Sequence, residues 1–118
     1  MPGIVGIVNR MPSKKNKVTL QQMGACMLYE KFYADGIYIN EEIGVYLGCV
    51  CHVGSFSDCM PVFNEEKNII LIFYGENYVD KNDLDELKGK KHRFDPWNAS
   101  YIIHLYEEKG IQFLEELN

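Results

Sequence analysis

The sequence predicts an α+β fold, layered and with a largely antiparallel sheet, and three observations carry that prediction. Its periodic segments run in the order strand, helix, several strands, helix, helix. Apolar residues alternate or cluster in short runs in some segments and recur at helical spacing in others. No internal repeat, low-complexity tract or linker interrupts them, so residues 1–118 read as a single domain or part of one. At 118 residues such a chain buries roughly two thirds of the surface that its extended form exposes.

The first strand is Gly3 to Val8, with two glycines that let the backbone pack closely. The polar stretch Asn9 to Lys17, with Pro12 and Ser13, reads as a solvated loop. Thr19 and Gln22 fit a capping box, and Leu20, Met23, Met27 and Leu28 recur at helical spacing, which predicts a helix from about Leu20 to Phe32. Asp35-Gly36 is a turn signal, followed by strands at Ile37 to Asn40 and Ile43 to Val53 around a bend at Glu41-Glu42. Asn68 to Tyr74 is apolar through most of its length and β-branched early, the pattern of a central strand buried on both faces, and Gly75 ends it. Asp80 or Asn82 caps a helix that carries Leu84 and Leu87 and closes at Gly89. A further helix spans about Trp97 to Lys109, with Pro96 near its start and Gly110 at its end. Ile111 to Leu117 resembles the opening of another.

Composition narrows the classes of function. A hydrophobic content of 47% is ample for a packed core, and no apolar run approaches the ~20 residues of a membrane span. No basic, leucine-rich lead marks a signal peptide, so a cytoplasmic protein is expected. The net charge is −5, and its one lysine cluster, Lys14, Lys15 and Lys17, fits a solvated loop better than a nucleic-acid patch. Neither a membrane nor a nucleic-acid partner is expected.

Four cysteines, Cys26, Cys49, Cys51 and Cys59, are expected to be reduced thiols. Cys49-Val50-Cys51-His52 with Cys59 invites a zinc reading, but one residue between thiols is the wrong spacing for a common zinc knuckle. On a strand, Cys49 and Cys51 share a face, and buried small apolar side chains are the preferred reading. No metal site is expected.

Four segments together resemble one family. Met1-Pro2-Gly3-Ile4-Val5-Gly6-Ile7-Val8 is similar to the start of a glutaminase domain. Phe73-Tyr74-Gly75-Glu76-Asn77-Tyr78, followed by Leu84, Glu86 and Leu87, is similar to a Phe-Asn-Gly-Glu-Ile-Tyr run and its following helix. Ala34-Asp35-Gly36 resembles the tail of a His-Arg-Gly-Pro-Asp-Gly loop, and Tyr106-Glu107-Glu108-Lys109-Gly110 with Leu117-Asn118 also matches. These are features of the N-terminal glutaminase domain of asparagine synthetases, the class II glutamine amidotransferases. The resemblance implies an N-terminal-nucleophile (Ntn) hydrolase-like sandwich of α-β-β-α layers, truncated here before the second half of the domain.

The chemistry implied by that resemblance is lost at each matching position. The cysteine nucleophile, which attacks with its own α-amine as base, falls on Pro2, which has no side-chain nucleophile. With Met1 in place Pro2 also lacks a free amine. The arginine that clamps the glutamine carboxylate falls at or near Cys51, which offers no cationic fork. The asparagine of the oxyanion hole falls on Tyr74, leaving only the Gly75 backbone N–H. The aspartate that holds the substrate ammonium falls on neutral Asn98. Lys31, Phe32, Tyr33 and Ala34 replace the first four residues of the His-Arg-Gly-Pro-Asp-Gly loop.

The implied reading is a non-catalytic glutaminase-like domain of an ATP-dependent amide-forming enzyme, as in β-lactam synthetases and lasso-peptide cyclases. Phe32, Tyr33, Tyr74 and Trp97 would fill the vacated glutamine pocket, a role that ordinary core packing explains equally well. No Ser-Gly-Gly-x-Asp-Ser pyrophosphate loop occurs here, so ATP and Mg would belong to a C-terminal synthetase domain or a separate synthetase chain. Two alternatives stand beside it: an interaction half-domain whose open sheet edge pairs with another chain or a second copy, and a residual enzyme using Pro2, or Cys49 or Cys51 activated by His52.

Overall fold

The structure is a computed structural model that describes residues 1–11 and 13–117. Pro12 of the polar stretch and Asn118 of the Leu117-Asn118 match lie outside the described residues. The elements are β1 (Gly3–Val8), α1 (Lys14–Ala25), β2 (Tyr33–Asn40), β3 (Val45–His52), β4 (Val62–Phe63), β5 (Ile70–Leu71), α2 (Lys81–Gly89) and α3 (Ile102–Lys109). Two 3₁₀ segments, Ala99–Tyr101 and Gly110–Glu116, flank α3. The α+β class holds, and among the described residues every strand pairing is antiparallel: one sheet in the order β1-β3-β2 and a second of β4 and β5.

The middle strand is β3. Gly3 to Val8 pair with Val50 to Val45 on one side, and Tyr33 to Asn40 pair with His52 to Val45 on the other. Its side chains alternate between two packed layers. Tyr46, Gly48 and Val50 share the face covered by α1, where a Cβ on Gly48 would lie 3.8 Å from Leu20 Cδ1. Cys49 and Cys51 point the opposite way, into a core with Met60, Leu87, Tyr101, Ile102 and Leu105.

This corrects the position of the central strand. Asn68 to Tyr74 forms only the two-residue β5, half-buried and paired with β4 alone. A strand is buried on both faces only when a layer lies over each. β3 has α1 on one side and the α2–α3 core on the other, whereas Ile69 to Leu71 pack against α3.

The first helix also differs from expectation. It starts at Lys14, because Ser13 in extended conformation accepts a hydrogen bond from the Lys15 backbone N–H at 3.1 Å and caps it. Lys14, Lys15 and Lys17 thus lie on a helix rather than in a loop, Thr19 sits within it, and the segment from Leu28 to Phe32 lies beyond its end. Lys17 pairs with Glu41 at 3.0 Å. Leu20 remains its buried anchor.

β2 begins at Tyr33, so Asp35-Gly36 lies in a strand and not in a turn. Gly36 sits opposite Cys49, and a Cβ there would approach the Met60 carbonyl oxygen to 2.3 Å. Close backbone approach, not chain reversal, is the reason for glycine. The β2–β3 turn spans residues 41–44, with the Asn40 side chain accepting from the Glu42 N–H at 3.1 Å.

α2 matches its expected signals: the Asp80 carboxylate accepts from the Asn82 N–H at 3.1 Å. The helix expected from Trp97 to Lys109 opens instead as a 3₁₀ turn capped by Asn98 and continues as α3 to Gly110. The segment after Gly110 is 3₁₀ and not the opening of an α-helix. Among the described residues no helix is long and apolar enough to cross a membrane.

Gly36→Ala is expected to lower unfolding stability by about 1–3 kcal/mol in urea denaturation, because the methyl group meets backbone that cannot yield. Gly24→Ala, near the end of α1 with nothing within 4 Å of the new Cβ, is expected to raise it by about 0.4–1 kcal/mol in the same measurement.

Candidate functional site

Gly75, which follows β5, adopts φ 141°, a left-handed conformation that favours glycine. Both of its backbone groups meet one side chain. The Gly75 N–H donates to Ser57 Oγ at 3.1 Å, and the Ser57 hydroxyl donates back to the Gly75 carbonyl at 2.9 Å. Ser57 is buried, so this reciprocal pair satisfies polar groups that would otherwise be stranded. Beside it lies a cleft of about 320 Å³ lined by His52, Ser57, Tyr74, Gly75 and Glu76.

The structure therefore brings Tyr74 and Gly75 together with His52, while Pro2, Cys51 and Asn98 do not line this cleft. Pro2 precedes β1, and the register of Gly3 opposite Val50 directs it toward the Cys51 end of β3. The Met1 amine donates to the Met27 carbonyl at 2.7 Å. Cys51 lies opposite Ala34 and faces the core. Asn98 caps the 3₁₀ turn, its side-chain oxygen accepting from the Ser100 N–H at 2.9 Å.

Burial decides the chemistry of the strand cysteines. Cys51 is pushed up to about 12, first by loss of solvation and then by neighbouring Cys49. Burial also raises Cys49, against the lowering effect of contacts with Cys51 and the Gly36 carbonyl. Both remain protonated thiols at neutral pH, which is the opposite of an activated nucleophile. His52 cannot assist them from its own strand, since adjacent β residues point to opposite faces. Its ring stacks on Phe32 at 5.5 Å and meets Tyr33 edge-on at 4.8 Å.

The four aromatics expected to fill one pocket are divided. Phe32 and Tyr33 gather around His52, and Tyr74 lines the neighbouring cleft, but Trp97 is 87% exposed at a second depression, with Tyr78 and Tyr101, that shares Phe56 with the cleft.

The sequence reading missed two arrangements. One is the Ser57–Gly75 pair, separated by 18 residues and without any motif. The other gathers Glu65, His92, His104 and Glu107. Its only local signal is the spacing of His104 and Glu107 on one helix face.

Comparison with known proteins bears on the resemblance. Asparagine synthetase [glutamine-hydrolyzing] 2 of Bacillus subtilis (strain 168) is 27% identical over 123 aligned residues, covering 99% of this chain and 16% of that protein. Asparagine synthetase [glutamine-hydrolyzing] 1 of Arabidopsis thaliana is 31% identical over 83 residues, covering 70% of this chain and 14% of that protein. The chain is similar to the glutamine-hydrolysing asparagine synthetases. A further Arabidopsis asparagine synthetase, number 3, is 26% identical over 120 residues, covering 98% of this chain and 19% of its own length. The chain thus spans less than a fifth of the length of these asparagine synthetases. No protein-family model matches it, and no solved structure does.

Ser57→Ala is expected to cost about 1–3 kcal/mol in denaturant unfolding, since it strips the partner from both Gly75 backbone groups. Cys51 contributes a second outcome. Its proton is held more tightly folded than unfolded, so its contribution to stability is complete below about pH 9 and is lost as pH rises toward 12. Melting temperatures measured across that window should fall less steeply for Cys51→Ala than for the parent.

Proposed function

We propose that this chain is a non-catalytic, glutaminase-like portion of an ATP-dependent amide-forming enzyme of the lasso-peptide cyclase or β-lactam synthetase type, with a structural role. The observation that carries this reading is the closed hydrogen-bond pair between Ser57 and Gly75. By the resemblance, the Gly75 N–H is the backbone donor to the oxyanion, and here Ser57 Oγ accepts it at 3.1 Å. A donor already engaged within the protein is not preorganised for developing charge on a substrate.

The remaining positions support the same conclusion. Pro2 brings no thiol or hydroxyl, and the buried Cys51 thiol brings neither a thiolate nor an arginine fork. Losses in residues that act as a unit are not made good singly. The apolar positions of β3, α2 and α3 are meanwhile filled as a stable fold requires. Packing has been kept where catalytic groups are lacking.

In this reading ATP and Mg are held by a synthetase domain or separate synthetase chain, which adenylates a carboxylate for attack by an amine. An apolar groove of about 300 Å³ between β5 and α3, lined by Ile69, Ile70, Leu71, Ile102, Ile103 and Phe113, favours contact with such a partner. The same groove, with open edges on β1 and β2, favours the second reading, an interaction module that pairs with another chain or a second copy.

Ammonia release from glutamine is the direct test: none above the uncatalysed rate is expected, and Pro2→Cys should not restore it. Glutamine-dependent ammonia release that disappears on substitution of Pro2 or Cys51 would overturn the non-catalytic reading. Light scattering on the natural gene product separates the two structural readings. A polypeptide or complex carrying an adenylating part supports the first, and a stable 13.7 kDa monomer without any partner sinks both.

A further inference from the structure

Away from the cleft, four ligand atoms from three segments converge. Glu65 lies in the β4–β5 turn, His92 follows the end of α2, and His104 and Glu107 stand three residues apart on α3. His104 Nδ1 lies 2.7 Å from Glu107 Oε2 and 3.6 Å from Glu65 Oε2. His92 Nδ1 lies 3.5 Å from Glu107 Oε2 and 3.8 Å from Glu65 Oε2. All four atoms fall within 4.8 Å of one another. Ligands about 2.0–2.1 Å from a tetrahedral ion stand roughly 3.3–3.4 Å apart, so three of these separations are near a coordination edge and one must open slightly.

The opposite end of every one of these side chains is tethered. Glu65 Oε1 accepts from the Arg93 N–H at 2.8 Å, and Glu107 Oε1 accepts from the Asn64 amide at 2.7 Å. His104 Nε2 faces the Arg93 carbonyl at 3.1 Å, and His92 Nε2 faces Glu108 Oε1 at 2.7 Å. A carbonyl and a carboxylate oxygen only accept, so both Nε2 atoms bear the hydrogen. In the neutral rings both Nδ1 lone pairs therefore point at carboxylate oxygens, a repulsive arrangement that a proton or a cation between them relieves. One proton satisfies the short His104–Glu107 contact, but a proton on each Nδ1 would stack two imidazolium rings at 4.6 Å. One divalent ion answers both lone pairs and both carboxylates.

We propose that Glu65, His92, His104 and Glu107 form a binding site for a first-row divalent transition cation, with zinc as its best fit. Two imidazoles and two carboxylates are a donor set that suits zinc, whereas magnesium and calcium prefer oxygen ligands throughout. Arg93, Asn64 and Glu108 orient the ligands from outside, as partners of metal-bound imidazoles and carboxylates do. The ion would pin the β4–β5 turn and the segment after α2 onto α3, a structural role that does not depend on the glutaminase reading.

The test is titration of the metal-stripped full chain with Zn²⁺ by calorimetry and with Co²⁺ by visible absorption. One ion per chain is expected, with the d–d bands of tetrahedral Co²⁺ and no thiolate charge-transfer band. Glu65→Gln and His92→Gln, both checked for unchanged circular dichroism, should each weaken Zn²⁺ binding at least ~10-fold, and Glu108→Gln by ~10–100-fold. Zn²⁺ should raise the melting temperature of the parent and not that of the Glu65 and His92 variants. No stoichiometric uptake by the parent would mean an ion-pair cluster only and would overturn the site. So would unchanged affinity in the Glu65 and His92 variants, or a thiolate band lost on substitution of Cys49 and Cys51.

Discussion

Burial of β3 on both faces is the constraint on which the rest of this structure depends. A strand covered from two sides must carry apolar or small residues at every position, and Tyr46, Gly48, Cys49, Val50 and Cys51 are all buried. Its neighbours follow from that burial. α1 must present Leu20 to one face, and α2 and α3 must deliver Leu87, Ile102 and Leu105 to the core on the other. Gly36 is small because the strand beside β3 runs against the Met60 backbone.

The same burial shapes the chemistry. A thiol held in an apolar core is a packing group, and Cys49 and Cys51 are raised away from the thiolate form by lost solvation. His52 follows Cys51 in the chain but faces the other way, toward Phe32 and Tyr33. Around Gly75 the logic is hydrogen bonding rather than solvation. A glycine in a left-handed conformation exposes an N–H and a carbonyl, and Ser57 closes on both. The fold thereby satisfies its own polar groups within the chain.

The Glu65–His92–His104–Glu107 cluster rests on turns at its margins. Asn64 holds the β4–β5 turn by accepting from the Asn68 and Ile69 N–H groups, each at 3.0 Å, and so presents Glu65. At the end of α2, Lys91 adopts φ 66° and the His92 N–H returns to the Leu87 carbonyl at 3.3 Å, which turns the His92 ring toward α3. Each turn is local, but only the packing of Leu87 and Leu105 in one core sets their side chains against the same helix face.

Local signals in the sequence determined the α+β class, the strand Gly3–Val8, the Asp80 cap of α2, the Gly110 end of α3 and the likeness to asparagine synthetases. Those features depend on near neighbours: a cap needs only the next two or three residues, and a strand pattern only its alternation. The start of α1 is ambiguous in the sequence because Ser13 and Thr19 both carry a capping hydroxyl, and propensity does not choose between them. The apolar run Asn68–Tyr74 reads as a central strand as readily as β3 does, because apolar runs look alike until the covering layers are known. The Ser57–Gly75 pair joins residues 18 positions apart, and the Glu–His cluster brings Glu65 to residues 27 to 42 positions further along the chain. Only the tertiary structure decided those, because side chains on separate turns meet where the packing of the core brings their backbones together.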